Sequence, residues 1–125
     1  MWVKICGITN LEDALCAINA GADALGFVFY AHSPRYISPE KAKAIVEELP
    51  LHVKKIGLFV EALPEEINVT CKTSLIDMAQ IHFDVDETFL SALEVPYLLV
   101  TRAQKQSDVT HYQNRLRLVD AYVES

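Results

Sequence analysis

No CxxC pair occurs in this chain of 125 residues, and its three cysteines, Cys6, Cys16 and Cys71, are odd in number and far apart. That excludes a disulfide or zinc framework and fits a reducing compartment. A Lys/Arg cluster is also missing: 11 basic residues stand against 17 acidic ones, for a net charge of −6. Such a chain is a poor binder of nucleic acid or of a membrane surface, and an anionic substrate has to meet cations placed one at a time. No apolar run approaches the roughly 18 residues of a spanning helix, and no charged start leads into an apolar stretch with a small-residue cleavage site. The chain therefore reads as cytoplasmic. His32, His52 and His111 lack metal-ligand spacing and read as solvated. No low-complexity segment, linker or repeat of identical residues divides the sequence, and 51% hydrophobic content is enough for the core of one domain.

What is present is an alternation of short apolar runs and amphipathic stretches. Val3-Lys4-Ile5-Cys6-Gly7-Ile8-Thr9 opens as a strand on which Lys4 and Cys6 share one face. Asn10 caps a helix carrying Glu12 and Asp13 in its first turn and ending at Gly21. Residues 24–30 form a second strand, in which Gly26 signals close approach of another group. The loop from Ala31 to Ile37 leads to Ser38-Pro39-Glu40, a helix start with proline at the first position, and the helix continues from Lys41 to Leu49. Strand three is read over Lys54 to Glu61 and a weak helix from Pro64. Leu75 to Phe83 reads as strand four, with Met78, Gln80 and His82 on one face, and Asp84 or Asp86 caps a short helix. Tyr97 to Thr101 is strand five, Ser107 or Asp108 caps helix five, and Leu116 to Val123 begins strand six.

Strand starts thus fall near residues 2, 24, 54, 75, 97 and 118. Strict alternation of helices with nearly continuous apolar strands predicts a parallel sheet buried on both faces. Two folds fit that description. A flavodoxin-like doubly wound sheet is complete with five strands, whereas a (β/α)8 TIM barrel needs roughly 200 residues or more. Length favours the first. The start of a sixth strand favours the second, since a domain seldom ends on a strand with an open edge.

The blocks Val3 to Thr9, Gly21 to Phe29 and Ser33-Pro34-Arg35-Tyr36-Ile37-Ser38-Pro39-Glu40 closely resemble the opening of the phosphoribosylanthranilate isomerase family of tryptophan biosynthesis. The resemblance continues through Gly57-Leu58-Phe59-Val60, Met78-Ala79-Gln80-Ile81-His82 and Leu118-Val119-Asp120-Ala121-Tyr122. It implies a parallel TIM barrel of which this chain is about the first three-fifths, a single domain over residues 1–125 without strands seven and eight. The implied activity is the Amadori rearrangement of N-(5-phosphoribosyl)anthranilate to the 1-deoxyribulose product, an intramolecular oxidoreduction needing no cofactor. By resemblance, Cys6 is the general base, Asp120 the general acid, and Arg35 the holder of the anthranilate carboxylate. Lys4 is a candidate cation tuning Cys6, Gly7 leaves room for substrate, and Gln80 and His82 line the substrate or fill the barrel interior.

The chain departs from the family in Phe83, which replaces a glycine, in Arg102, which stands where a lysine segment is usual, and in lacking the Gly-Gly-x-Gly loop and the phosphate-holding loops. On residue chemistry alone, Cys6 is a small buried hydrophobe, Arg35 a solvated loop charge and Asp120 a strand-end turn former. Cys16 reads as helix packing and Cys71 as an incidental thiol. Lys4 should have an acidic partner or face the mouth of the site. Two rivals remain: an inactive fragment that self-associates through an exposed strand edge as a homo-oligomer, and a flavodoxin-like binding module.

Overall fold

The computed structural model describes residues 2–100 and the backbone of residues 118–122. Its elements alternate as expected: β1 (Trp2–Cys6), α1 (Leu11–Asn19), β2 (Ala24–Val28), α2 (Pro39–Val46), β3 (Lys54–Phe59), α3 (Pro64–Ser74), β4 (Met78–Ile81), α4 (Glu87–Ser91), β5 (Tyr97–Leu99) and β6 (Leu118–Tyr122). The expected helix five, Arg102 and His111 lie outside the described residues. All pairings are parallel, and the strand order is β5-β4-β3-β2-β1-β6. Five strands therefore follow one another in sequence order, as in a (β/α) barrel. A flavodoxin-like sheet would instead reverse direction beside β1, so the doubly wound alternative is corrected. β6 does not continue past β5 but lies on the other side of β1.

Residues in register on parallel strands project from the same face. Ile5 and Leu25, Phe27 and Ala79, Phe59 and Ile81 belong to the outer, helix-covered face, where Leu25, Phe27, Phe59, Ala79 and Ile81 join Ala42, Ile45 and Val46 of α2 and Ile67 and Cys71 of α3 in one apolar core. Burying each larger side chain there contributes about 1.5–3 kcal/mol. The inner face carries Lys4, Cys6, Gly26, Ile56, Met78 and Gln80. The sheet curls around it, because the Lys4 ammonium on β1 donates directly to the Gln80 side chain on β4.

Local chemistry sets the boundaries. Asn10 caps α1 by accepting from Asp13 N–H at 2.8 Å, Ser38 caps α2 ahead of Pro39, and Asp86, of the two aspartates considered, caps α4 at 2.8 Å from Phe89 N–H. α3, weak by periodicity, runs 11 residues because Pro64 starts it and Ile67 and Cys71 face the core. Strand four is shorter than expected. Leu75 takes a left-handed conformation (φ 62°) that closes α3, with Ile76 N–H donating to Cys71 C=O at 3.0 Å, so extended pairing starts only at Met78. Beyond β4, Phe83 turns to meet Phe89 edge to face, ring centres 5.5 Å apart.

The cysteine expectations are exchanged. Cys16 is exposed on α1, whereas Cys71 is buried, with desolvation pushing its thiol up to about 12. No helix among the described residues is long and apolar enough to cross a membrane.

A device invisible to residue-identity comparison recurs at the amino-terminal ends of the strands. Asp23, just before β2, accepts from Val3 N–H at 2.8 Å while its own N–H donates to Val3 C=O at 2.8 Å. Asp77, just before β4, does the same to Lys55 of β3, at 2.9 and 2.8 Å. Each aspartate locks the strand it precedes to its predecessor. Asp23→Ala and Asp77→Ala should each lower the unfolding free energy by about 1–3 kcal/mol in urea titrations, the cost of a lost charge-assisted bond to a part-buried N–H; unchanged midpoints would remove the clamps from the account.

Cys71 yields an alkaline prediction. Its folded pKa, about 12, lies above the ordinary 9.0, so from about 9 upward the unfolded chain loses this proton and the folded chain keeps it. The thiol's contribution to stability is whole below pH 9 and is lost as pH rises towards 12. Unfolding midpoints measured across that range should fall less steeply in Cys71→Ala than in the parent chain.

Candidate active site

The carboxyl-terminal ends of the strands converge on Cys6, the last residue of β1, buried at 3% exposure. Its neighbour in register is Gly26 on β2. A Cβ at position 26 would lie 2.9 Å from Cys6 Sγ and 3.1 Å from its Cα, so the missing side chain is what lets the thiol lie flat on the inner face. The close approach expected at Gly26 is therefore to Cys6. Past the thiol the chain turns sharply, with Gly7 at φ +89°, and the Gly7 and Ile8 N–H groups both donate to Gly26 C=O at 3.0 Å.

The loop after β2 brings Arg35 to this point. Ser33 N–H donates to Tyr30 C=O at 3.0 Å, Tyr36 N–H to Ser33 C=O at 3.1 Å, and Arg35 N–H to Ser33 Oγ at 3.1 Å, while Ile37 N–H returns to Val28 C=O at 3.0 Å. These bonds fold the Ser-Pro-Arg segment back over the strand ends, and the Arg35 side chain lies across Gly7. Any Cβ at position 7 would run into Arg35 Cδ. Gly7 thus makes room for the arginine itself, whereas the sequence had suggested room for substrate. The effect is to lay the arginine side chain over the residue that follows Cys6.

From the far side, β4 presents Gln80 and His82. Gln80 is 1% exposed and accepts from the Lys4 ammonium, itself 1% exposed, and its amide nitrogen lies 2.6 Å from His82 Nε2. The described hydrogen-bond partner of Lys4 is thus an amide on β4, and the acidic residue in register with Lys4 on the adjacent strand is Asp120 of β6. Cys6 stands in register with Tyr122. Lys4, Cys6 and Gln80 share the inner face, His82 meets Gln80 just past β4, Arg35 lies against Gly7 just past β1, and the backbone of Asp120 is on the neighbouring strand. What sequence reasoning missed is the Lys4–Gln80–His82 chain. The signal for it was the i, i+2 spacing of Gln80 and His82 on the face shared with a buried lysine.

His32 and His52 are exposed, and His32 meets Tyr30 edge to face. No group of three or more potential metal ligands occurs among the described residues. A cavity of about 560 Å³ touched by Asn68, Cys71, Asp77 and Glu94 opens at the opposite, amino-terminal end of the strands and takes no part in this cluster.

A sequentially wound parallel sheet alternating with helices defines an α/β protein of the TIM-barrel type, and Cys6 ends β1, the Arg35 loop follows β2 and His82 follows β4, at the strand ends where such barrels carry chemistry. Residues 3–123 match the family N-(5'phosphoribosyl)anthranilate (PRA) isomerase. The chain belongs to that family. The N-(5'-phosphoribosyl)anthranilate isomerase of Sulfurovum sp. (strain NBC37-1) is 56% identical over 125 residues, spanning 100% of this chain and 64% of that relative. Phosphoribosyl anthranilate isomerase from Thermotoga maritima is similar in structure, with TM-score 0.80 and 36% identity over 100% of this chain and 63% of the other. A phosphoribosyl anthranilate isomerase solved in complex with reduced 1-(o-carboxyphenylamino)-1-deoxyribulose 5-phosphate has TM-score 0.75 and 36% identity, covering 98% of this chain and 75% of that one. The chain thus spans less than two thirds of the length of the Sulfurovum relative.

The packing at Cys6 is open to direct trial. Gly26→Ala should cost about 1–3 kcal/mol in urea unfolding, because the added methyl meets strand backbone as well as the thiol; wild-type stability would contradict the contact.

Proposed function

We propose that this chain supplies the acid–base part of a phosphoribosylanthranilate isomerase site acting in tryptophan biosynthesis in the cytoplasm. The observation that carries the reading is the Arg35 side chain laid across Gly7, the residue that follows Cys6 at the end of β1. On the proposed substrate, N-(5-phosphoribosyl)anthranilate, Arg35 holds the anthranilate carboxylate through paired N–H donors. Asp120 gives a proton to the ribose ring oxygen as the C1–O bond breaks, leaving an iminium between C1 and the anthranilate nitrogen. The Cys6 thiolate then removes the C2 proton, producing an enolamine that tautomerises to the 1-deoxyribulose ketone. One proton enters and one leaves, so the product is an isomer and no redox partner is consumed.

The register supports the division of roles. Asp120 pairs with Lys4, two residues before Cys6 along β1, so the proposed acid and base approach from adjacent strands. The cations of this inner face, Lys4 and Arg35, fit an anionic substrate despite the chain's net charge of −6. A second reading, self-association, draws on the sheet order, in which β5 and β6 each have one described strand neighbour. Under it, sedimentation shows a concentration-dependent dimer; a monomer at high concentration would rule it out.

For the catalytic reading, turnover of freshly made phosphoribosylanthranilate is followed with the chain extended by the remaining segment of the Sulfurovum relative. Cys6→Ser and Asp120→Asn should each reduce kcat by about 100- to 10,000-fold, the usual range for a lost general acid or base. Arg35→Met should act mainly by raising KM. Wild-type turnover in either of the first two variants would refute the assignment.

A further inference from the structure

The polar chain on the inner face contains enough donors and acceptors to fix a protonation state. A lysine ammonium can only donate, so the atom of Gln80 turned towards Lys4 must be the amide oxygen, Oε1. This orientation leaves the amide nitrogen directed at His82 Nε2, 2.6 Å away. An amide nitrogen donates and does not accept, so the bond exists only if His82 Nε2 offers a lone pair. Lys4 and Gln80, which set the orientation, are both 1% exposed, and an amide flip there would oppose a donor to a donor at Lys4 and an acceptor to the Nε2 lone pair at His82, with water excluded from repairing the first contact.

We infer that Lys4, acting through Gln80, holds His82 as a neutral imidazole whose single proton is on Nδ1. Lys4 and Gln80 are thereby positioning residues for His82. The inference rests on the proposed isomerase site for its significance: His82 is not available as a base through Nε2, which leaves proton abstraction to Cys6. It also gives the buried Lys4 a role distinct from tuning the thiol.

The test uses the 125-residue chain with 15N-labelled histidine, read by long-range proton–nitrogen correlation at neutral pH, with His82→Asn identifying the His82 signals among the four histidines. In the parent chain, His82 should show an unprotonated Nε2 and a protonated Nδ1. In Gln80→Glu the carboxylate remains paired with Lys4 but has no N–H to offer, so the pattern should invert, with Nε2 moving into the protonated range. In Lys4→Met, which keeps the length of the side chain but frees the amide to turn, the two tautomers should average. A parent chain protonated at Nε2 overturns the inference, as does an Nδ1–H pattern that persists in Gln80→Glu or stays pure in Lys4→Met. Because the spectrum is read without turnover, an inactive chain with the expected pattern counts against the isomerase reading alone, and an active chain with the wrong pattern counts against the relay alone.

Discussion

A buried ammonium is the constraint on which the inner face of this sheet depends. Lys4 is 1% exposed on the first strand, where an unpartnered charge would cost several kcal/mol. Its described hydrogen bond reaches over the concave surface to Gln80 on the fourth strand, and that reach is available only if the sheet curls. The same contact aims Gln80 at His82. One bond thus spans the curve of the sheet, partners the buried ammonium and, through Gln80, meets His82.

The two faces divide the work. The outer face is an ordinary apolar core, in which Leu25, Phe27, Phe59 and Ile81 pack under α2 and α3, and the aspartates before β2 and β4 fix strand alignment from below. The inner face gives up apolar burial for Lys4, Cys6 and Gln80, and uses glycine where side chains would collide: Gly26 under the thiol and Gly7 under Arg35. Stability resides in the outer layer and at the amino-terminal ends of the strands. The candidate site residues Cys6, Arg35 and His82 are at the carboxyl-terminal ends, where barrel architecture carries chemistry.

Much of this was legible in residue order. Asn10, Ser38-Pro39 and the pair Asp84 and Asp86, of which Asp86 is the cap, announced helix starts because capping is local chemistry, and alternation on the first and fourth strands assigned Lys4, Cys6, Gln80 and His82 to their faces. Strand four was read too long because apolar character continues through Leu75 and Ile76, while the backbone there is closing α3 in a left-handed turn. Cys16 and Cys71 were exchanged because helix α1 rotates its thiol outward and α3 rotates its thiol inward, an angular detail that composition does not carry. The position of β6 beside β1 is a long-range pairing that no local pattern specifies. The family resemblance gave roles to Cys6, Arg35 and Asp120; the contacts that orient Arg35 and Gln80 come from tertiary structure alone.

The proposed mechanism makes Cys6, at the carboxyl-terminal end of β1, the base that faces the substrate. Its most direct test is protection of Cys6 from alkylation by reduced 1-(o-carboxyphenylamino)-1-deoxyribulose 5-phosphate, the compound bound by a structural relative, in the chain extended by the remaining segment of the Sulfurovum relative. Peptide mass spectrometry follows Cys6 with the exposed Cys16 as an internal control. Labelling of Cys6 should slow at least tenfold at saturating compound while Cys16 reacts at an unchanged rate; equal rates at Cys6 with and without the compound would contradict the account.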